Sequence, residues 1–363
     1  MSARVNNYWI KADYIADFMS HLAHGDRRAV HTFIAKLEAA QRKAQAELNQ
    51  FKDLDKILEN FQKETGIIST GVGVNIPEDA PIEENSPLMN LALTAAGMAS
   101  EGIGLALTAL SVFNDLLSLY SENINAFGVL INASNSELKI RDFRLENAAP
   151  SALPLRKTIP PAQKILNPLD KKQYDCVAMS LFGCYNRSKL EGIGSGCSLE
   201  LPLNQHVSFG YSLPYGAFGA VPGVSIGRFG SANDALKRAQ NHRRPVIRPV
   251  HISKNILGMG TLVEGEDRDS YHGRFAFALY EPDNIRAKVV RNANFYLNYP
   301  PKKVAHRIST GEEVTVLHKG TQAQKGPVMG DMWFFDLVRR HNGEVGYIAR
   351  SKEDGSFVIL KDL

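Results

Sequence analysis

Phe127-Gly-Val-Leu-Ile-Asn-Ala-Ser-Asn-Ser136 is the stretch on which the reading of this chain turns. Its first five residues are aromatic, β-branched or apolar around one glycine, the composition of a buried strand, and four of its last five, Asn132, Ser134, Asn135 and Ser136, are polar turn formers. Toward the carboxyl end the same grammar recurs in Leu138-Lys-Ile-Arg-Asp-Phe-Arg-Leu145, Tyr174-Asp-Cys-Val-Ala-Met-Ser-Leu-Phe182, Cys197-Ser-Leu-Glu-Leu201, His206-Val-Ser-Phe-Gly-Tyr211 and Phe275-Ala-Phe-Ala-Leu-Tyr280. Short alternating runs separated by turn residues predict strands, and residues 126–281 are long enough for a two-sheet β-sandwich. Within that region only Ala232 to Gln240 reads as a helix.

Immediately upstream, residues 88–122 are apolar nearly all round, with Leu91, Met98, Ile103, Leu105, Leu110, Val112 and Leu117 among the covering side chains. Asn90, Thr94, Glu101, Thr108, Ser111, Asp115, Ser118 and Glu122 recur at intervals of three, four or seven, which sets them on one line of an α-helix together with Gly97 and Gly104. The helix therefore carries a narrow hydroxylated and acidic stripe. At about 1.5 Å per residue it is longer than a hydrocarbon core of roughly 30 Å.

Farther upstream, Val30, Leu37, Ala44, Phe51 and Leu58 repeat every seven residues, supported by Ile34, Leu48, Leu54 and Phe61. They predict one long amphipathic helix over residues 26–64, preceded by a shorter helix over residues 8–22, with Gly25-Asp26 as the break. Residues 67–87 hold Gly71, Gly73, Pro77, Pro81 and Pro87 and show no helical period, so they read as a linker. The expected layout is an α-helical arm over 1–66, the linker, a helix-plus-sandwich unit over 88–285, and a third unit over 288–363.

The 363 residues carry a net charge of +4 and 44% hydrophobic residues, enough for two or three domains, and no block of lysines or arginines dense enough to point to nucleic acid. Cys176, Cys184 and Cys197, an odd number in one region, are expected as reduced thiols, and their spacing matches no zinc arrangement. No cofactor or metal is expected. The amino terminus lacks the basic, apolar and small-residue regions of a Sec signal, so the expectation is synthesis in the cytoplasm and release by a non-classical route.

An amphipathic helix followed by Phe127–Ser136 and then a sandwich resembles the sea-anemone pore-forming cytolysins, the actinoporins. Asn132 to Ser136 stands where that family has an Asn-Glu-Ser-like turn. Ile159-Pro-Pro161 is similar to its proline turn, Val177 to Phe182 to its central strand, His206 to Tyr215 to its strand ending in Ser-x-Pro-Tyr, and Asn255-Ile-Leu-Gly-Met-Gly260 with the strand at Phe275 to its closing hairpin. The resemblance implies headgroup binding by Ser212, Pro214 and Tyr215, with Phe218 as the remaining aromatic anchor. Where the family places further tyrosines, this chain has Lys237, Arg238, His242, Arg243, Arg244 and Arg248. Guanidinium groups grip phosphate, so Lys237, Arg238, Arg243 and Arg244 join the headgroup site, and an anionic lipid or a phosphorylated glycan is the expected ligand. The last unit resembles bacterial SH3-type domains through Asn292-Ala-Asn-Phe-Tyr-Leu-Asn298, Gly311-Glu-Glu-Val-Thr-Val-Leu317, Met332-Trp-Phe-Phe-Asp-Leu337 and Gly343-Glu-Val-Gly-Tyr-Ile348. That resemblance implies a small β-barrel with a groove lined by Tyr296, Tyr299, Trp333 and Tyr347, open to a cell-wall peptide, a glycan or a protein ligand.

The expected fold class is multidomain α+β: a helical arm, an actinoporin-like β-sandwich preceded by an amphipathic helix, and an SH3-like barrel. The expected function is that of a non-enzymatic, pore-forming toxin whose helix 88–122 inserts and lines a self-oligomeric, cation-preferring pore after the sandwich docks on the lipid bilayer of a target cell. A lectin-like module that binds glycan or lipid without inserting is the alternative. A cell-wall cysteine peptidase is the third, with Cys176 as nucleophile and His206, His242, His251 or His272 as base.

Overall fold

A computed structural model describes residues 8–48, 50, 54–69, 124–150, 158–167, 169–186, 192–214, 221–253, 255–267, 270–297, 303–320, 323–325 and 331–363. The striped segment 88–122, including Asn90, Thr94, Glu101, Thr108, Ser111, Asp115, Ser118 and Glu122, lies outside the described residues, as do Tyr215, Phe218 and Tyr299. The chain is mixed α+β and mostly sheet. It divides into two compact units, Met1–Ile247 with Met259–Leu279, and Arg248–Gly258 with Tyr280–Leu363.

The first unit opens with a strand, β1 (Tyr8–Lys11), where a helix is expected from the sequence. Tyr8, Trp9 and Ile10 have side chains that suit a pleated surface, and pairing on both sides buries Trp9 and Ile10, which outweighs the helical period running into them. The helix α1 (Ala12–His24) follows and stops at Gly25, whose φ of 75° lets its N–H bond back to the carbonyls of His21 and Leu22. The expected long helix is two, α2 (Arg27–Leu48) and α3 (Leu54–Thr65). Asn49 and Asp53, between them, are residue types that favour turns and caps over helix interiors. The heptad residues nonetheless do what their spacing implies: Val30, Ile34, Leu37, Ala44, Leu58 and Phe61 are buried.

After β2 (Ile67–Ser69) and β3 (Ile124–Ala133) come β4 (Leu138–Glu146), β5 (Ala149–Pro150), β6 (Thr158–Ile159), β7 (Gln163–Leu166), β8 (Gln173–Asn186), β9 (Ile193–Leu201), β10 (Gln205–Leu213) and β11 (Gly223–Gly227). The helix α4 (Ala232–His242) precedes β12 (Val246–Ser253), β13 (Ile256–Asp267) and β14 (Ser270–Tyr280). They form two sheets, one of nine strands in the order β12-β13-β14-β3-β8-β1-β2 with β5 and β7 added on β8, the other of five in the order β11-β10-β9-β4-β6. The quoted strand β3 lies inside the larger sheet and is buried along almost its whole length. The sheets meet through aromatic contacts: Tyr211 stacks on Phe275 at 4.2 Å and Phe209 lies 4.6 Å from Phe277. Offset rings at these separations add to the burial itself.

Asn132 ties together two motifs read separately in the sequence. Its amide nitrogen donates to the carbonyls of Ser136 and Pro160, each at 2.8 Å, while its oxygen accepts from the Ser134 hydroxyl at 2.7 Å. The polar turn after β3 is thereby fastened to the Ile159-Pro-Pro turn, and a fully buried amide is satisfied.

In the second unit β15 (Ile285–Val289), β16 (Ala293–Tyr296), β17 (His306–Ile308), β18 (Glu313–His318), β19 (Gln324–Lys325), β20 (Met332–Arg340), β21 (Val345–Lys352) and β22 (Leu360–Asp362) form an eight-stranded sheet, in the order β17-β16-β21-β20-β18-β15-β22 with β19 on β20. Among the described residues this pairing is an open path and not the small closed barrel expected from the sequence. Beside that path, Val358 just before β22 makes an isolated bridge with Ser351 of β21, and the Ile359 N–H donates to the Arg350 carbonyl at 2.7 Å.

Candidate functional site

At one end of the five-stranded sheet, register puts four residues in a row across neighbouring strands: Glu146 pairs with Gly194, Gly194 with Ser212, and Ser212 with Gly223. Cross-strand partners point to the same face. Glu146 and Ser212 therefore stand on either side of a position with no side chain, and their backbones are about 10 Å apart at two strand spacings. Gly194 leaves room there for Leu236 of α4, whose Cδ1 would lie only 2.7 Å from a Cβ at that position.

The helix α4 roofs this face. Its start is held by the Ser231 hydroxyl, which accepts from the Asp234 N–H at 3.1 Å, and by Asp142, whose carboxylate accepts from the Ala232 N–H at 3.1 Å. Its small side chains Ala232, Ala235 and Ala239 are buried, and beneath them run the glycines of β9, β10 and β11. A Cβ on Gly196 would stand 2.0 Å from the Ala232 carbonyl oxygen, and one on Gly223 2.0 Å from that of Ala239. Only glycine permits helix and sheet to approach this closely. The Ser225 hydroxyl donates to the Ala235 carbonyl at 2.6 Å and fixes the seat.

The last turn of α4 completes the site. Gln240 donates through Nε2 to Glu146 Oε2 at 2.5 Å, and Arg243 caps the helix in the left-handed conformation, φ 45° and ψ 46°. The result is a cavity of about 270 Å³ lined by Glu146, Asn147, Gly192, Ile193, Gly194, Ser212, Leu213, Pro214, Val221, Gln240 and Arg243. That is the room taken by roughly nine liquid waters, the scale of a small polar group. Glu146, Ser212, Gln240 and Arg243 bring polar and charged side chains to the lining, with Pro214 and Val221 as apolar wall; Gln240 stands with Glu146, and the Arg243 backbone lies over Gly223, the strand position beside Ser212.

Of the residues expected at the headgroup site, Ser212, Pro214 and Arg243 line this cavity. Lys237, Arg238 and Arg244 do not. Lys237 and Arg238 are exposed on α4, the Arg238 guanidinium lying 4.7 Å from the Phe229 ring, and Arg244 is exposed while its carbonyl accepts from Val224 N–H at 2.7 Å. Glu146, Gln240 and the lining glycines stand in none of the sequence motifs that point to the headgroup site. The spacing Gly192-Ile-Gly-Ser-Gly196, with glycine at every second position, was the available signal: it bares one face of one strand.

The groove expected in the last unit is corrected by burial. Tyr296 and Tyr347 belong to a core cluster with Leu257, Leu317, Phe335 and Leu337, and the Tyr347 hydroxyl donates to the Pro249 carbonyl at 2.7 Å. Aromatic side chains at strand positions serve a core as readily as a groove, and here the core takes them. Trp333 is partly buried against this cluster, edge-on to Phe357 at 5.7 Å.

Cys176 is not at a helix start. It sits in β8, paired with Lys11, and burial pushes its thiol up to about 11. Burial likewise raises Cys184 to about 12 and Cys197 well above an ordinary thiol. A cysteine nucleophile needs the opposite shift. Among the described residues no group of His, Cys, Asp and Glu is arranged to hold a metal ion, and no helix is long and apolar enough to cross a membrane.

No protein-family model matches this chain, and no curated protein matches it. Among solved structures, the crystal structure of the lipid binding protein Nakanori is similar at 11% sequence identity, covering 55% of this chain and 90% of Nakanori, with a TM-score of 0.35.

Proposed function

We propose that this chain docks on a membrane through the pocket end of its five-stranded sheet and delivers the striped segment 88–122 into the bilayer as a pore-lining helix. The observation that carries the docking half is the convergence of Ser212, Pro214 and Arg243 on one polar cavity. An arginine and a serine on one lining are suited to a phosphate group, and the exposed Val221 at the rim is suited to an apolar surface.

The delivery half rests on the stripe. Ionised Glu101 and Asp115 in hydrocarbon cost on the order of 3 kcal/mol each, so the helix inserts as one of several copies with the stripe toward a wet lumen. The lumen is acidic and prefers cations. The strands flanking segment 70–123, β2 and β3, belong to the same sheet, separated only by β1 and β8, which spaces them by about 14 Å. Full insertion therefore requires β1 and β2 to peel from β8, since an extended return strand through lipid would leave its backbone unpaired.

Flotation with vesicles and release of an entrapped dye test both halves. Binding with leakage supports the full reading. Binding without leakage leaves the non-inserting, lectin-like module, and neither refutes the reading. Replacing Glu101, Asp115 and Glu122 by lysine reverses ion preference in planar bilayers if these residues line the lumen; unchanged preference rejects that assignment.

A further inference from the structure

The cavity at the end of α4 holds opposite charges in one small space. Arg243 and Ser212 offer donors for an anion, whereas Glu146, which accepts from Gln240 Nε2, offers a carboxylate, with Asn147 also on the lining. A ligand carrying only negative charge meets Glu146 at a cost. A ligand with a phosphate at one end and a cation at the other satisfies both ends. The cation end is built from hydrogen-bond acceptors. A primary ammonium has three N–H donors to give them, while a quaternary ammonium has none and is held instead on aromatic faces. The Glu146 and Ser212 backbones stand about 10 Å apart, at two strand spacings, with Leu236 of α4 packed on the Gly194 position between them.

We propose that this pocket binds a phosphoethanolamine group, with the phosphate on Arg243 and Ser212 and the primary ammonium on Glu146 and the Gln240 carbonyl. The group comes from a phosphatidylethanolamine headgroup if the docking reading above is right, and from a soluble or glycan-borne phosphoethanolamine if it is not. It departs from the expectation of a purely anionic ligand, because register brings Glu146 into the same site as Arg243.

The test titrates the full chain calorimetrically with phosphorylethanolamine, phosphorylcholine and inorganic phosphate, and floats it with vesicles of phosphatidylcholine alone or equimolar with phosphatidylethanolamine. Phosphorylethanolamine is expected to bind at least about tenfold more tightly than the other two, the size of one charge-assisted hydrogen bond. Glu146→Gln, which keeps an acceptor for Gln240, removes that preference and strengthens inorganic phosphate, because the carboxylate no longer repels it; Arg243→Gln weakens all three ligands. Gln240→Met serves as a second probe of the ammonium end should Glu146→Gln unfold, and the same loss of preference is expected. Preference for phosphorylethanolamine without flotation supports the ligand and refutes membrane docking. Flotation indifferent to phosphatidylethanolamine, or phosphate bound as tightly as phosphorylethanolamine, overturns the inference and leaves the docking reading standing.

Discussion

Gly196→Ala is the substitution that most strains the site's architecture without touching its ligand groups. The new Cβ would stand 2.0 Å from the Ala232 carbonyl oxygen and 2.9 Å from its carbon, against an ordinary contact of 3.4 Å or more, so α4 must retreat by roughly 1.4 Å. A flexible side chain would swing aside. A carbonyl inside a helix cannot, because its position is set by the helix itself and by the bond that the Ala232 N–H donates to Asp142. Overpacking costs about 1–3 kcal/mol where neighbours adjust, and this site belongs at the upper end. About 3 kcal/mol in a unit of this size lowers the melting temperature by about 6–12 °C. Differential scanning calorimetry reads the change, with Gly230→Ala as control: there the nearest atom is the Asp234 carboxylate at 3.1 Å, on an exposed side chain, and a change within about 0.5 kcal/mol is expected. Retreat of α4 also parts Gln240 from Glu146, so ligand binding falls with stability. A Gly196→Ala protein within about 1 kcal/mol of the parent would refute the close seating of α4 on β9 from which the pocket is derived.

Three further outcomes follow from the same geometry. Lys11→Cys faces Cys176 across the β1–β8 ladder; on oxidation the pair is expected to lock β1 to the sandwich, abolishing dye release while sparing vesicle binding, with release restored by reductant, and unimpaired release from the oxidised form would show that β1 stays in place during insertion. In the native protein all three cysteines resist a thiol reagent at neutral pH and react once unfolded, and Cys176→Ser keeps full activity; a fast-reacting thiol would revive the peptidase alternative. Asp336 is buried in the second unit, burial pushing it up to about 6 from 3.8 despite opposing help from Arg350 and the Gly320 N–H. Its folded pKa lies above its unfolded one, so its contribution is present below about pH 4 and is lost as pH rises through about 6, a change of about 3 kcal/mol. Asp336→Asn, which keeps an acceptor for Gly320, removes that slope from the unfolding curve, and an unaltered pH dependence would contradict it.

What the sequence discloses follows from how local each signal is. The run Phe127–Ile131 announces a buried strand because its neighbours on both faces demand apolar side chains, and β3 lies inside its sheet. Heptad positions such as Val30 and Leu37 are buried for the same reason, although the helix they suggest is cut in two. Tyr8–Lys11 misleads because its strand exists only through partners far away in sequence, at residues 67–69 and 176–179. Ser212, Pro214 and Arg243 are legible as polar or basic residues near a turn, but their meeting with Glu146 depends on register across four strands, which no single segment encodes. Tyr296 and Tyr347 show the reverse error: aromatic type is visible in sequence, and the face it occupies is not.

The central claim is that the pocket end meets the membrane, and an environment-sensitive fluorophore reads it most directly. Val221 lies on the rim, 46% exposed, and Leu203, 88% exposed, lies in the β9–β10 turn at the opposite end of the same sheet. The native thiols are buried, so a nitrobenzoxadiazole label placed on Val221→Cys or Leu203→Cys reports one position only. With vesicles of phosphatidylcholine and phosphatidylethanolamine, the label at 221 is predicted to brighten and shift to the blue while the label at 203 keeps its aqueous spectrum. A response at 203 with none at 221 would contradict the account.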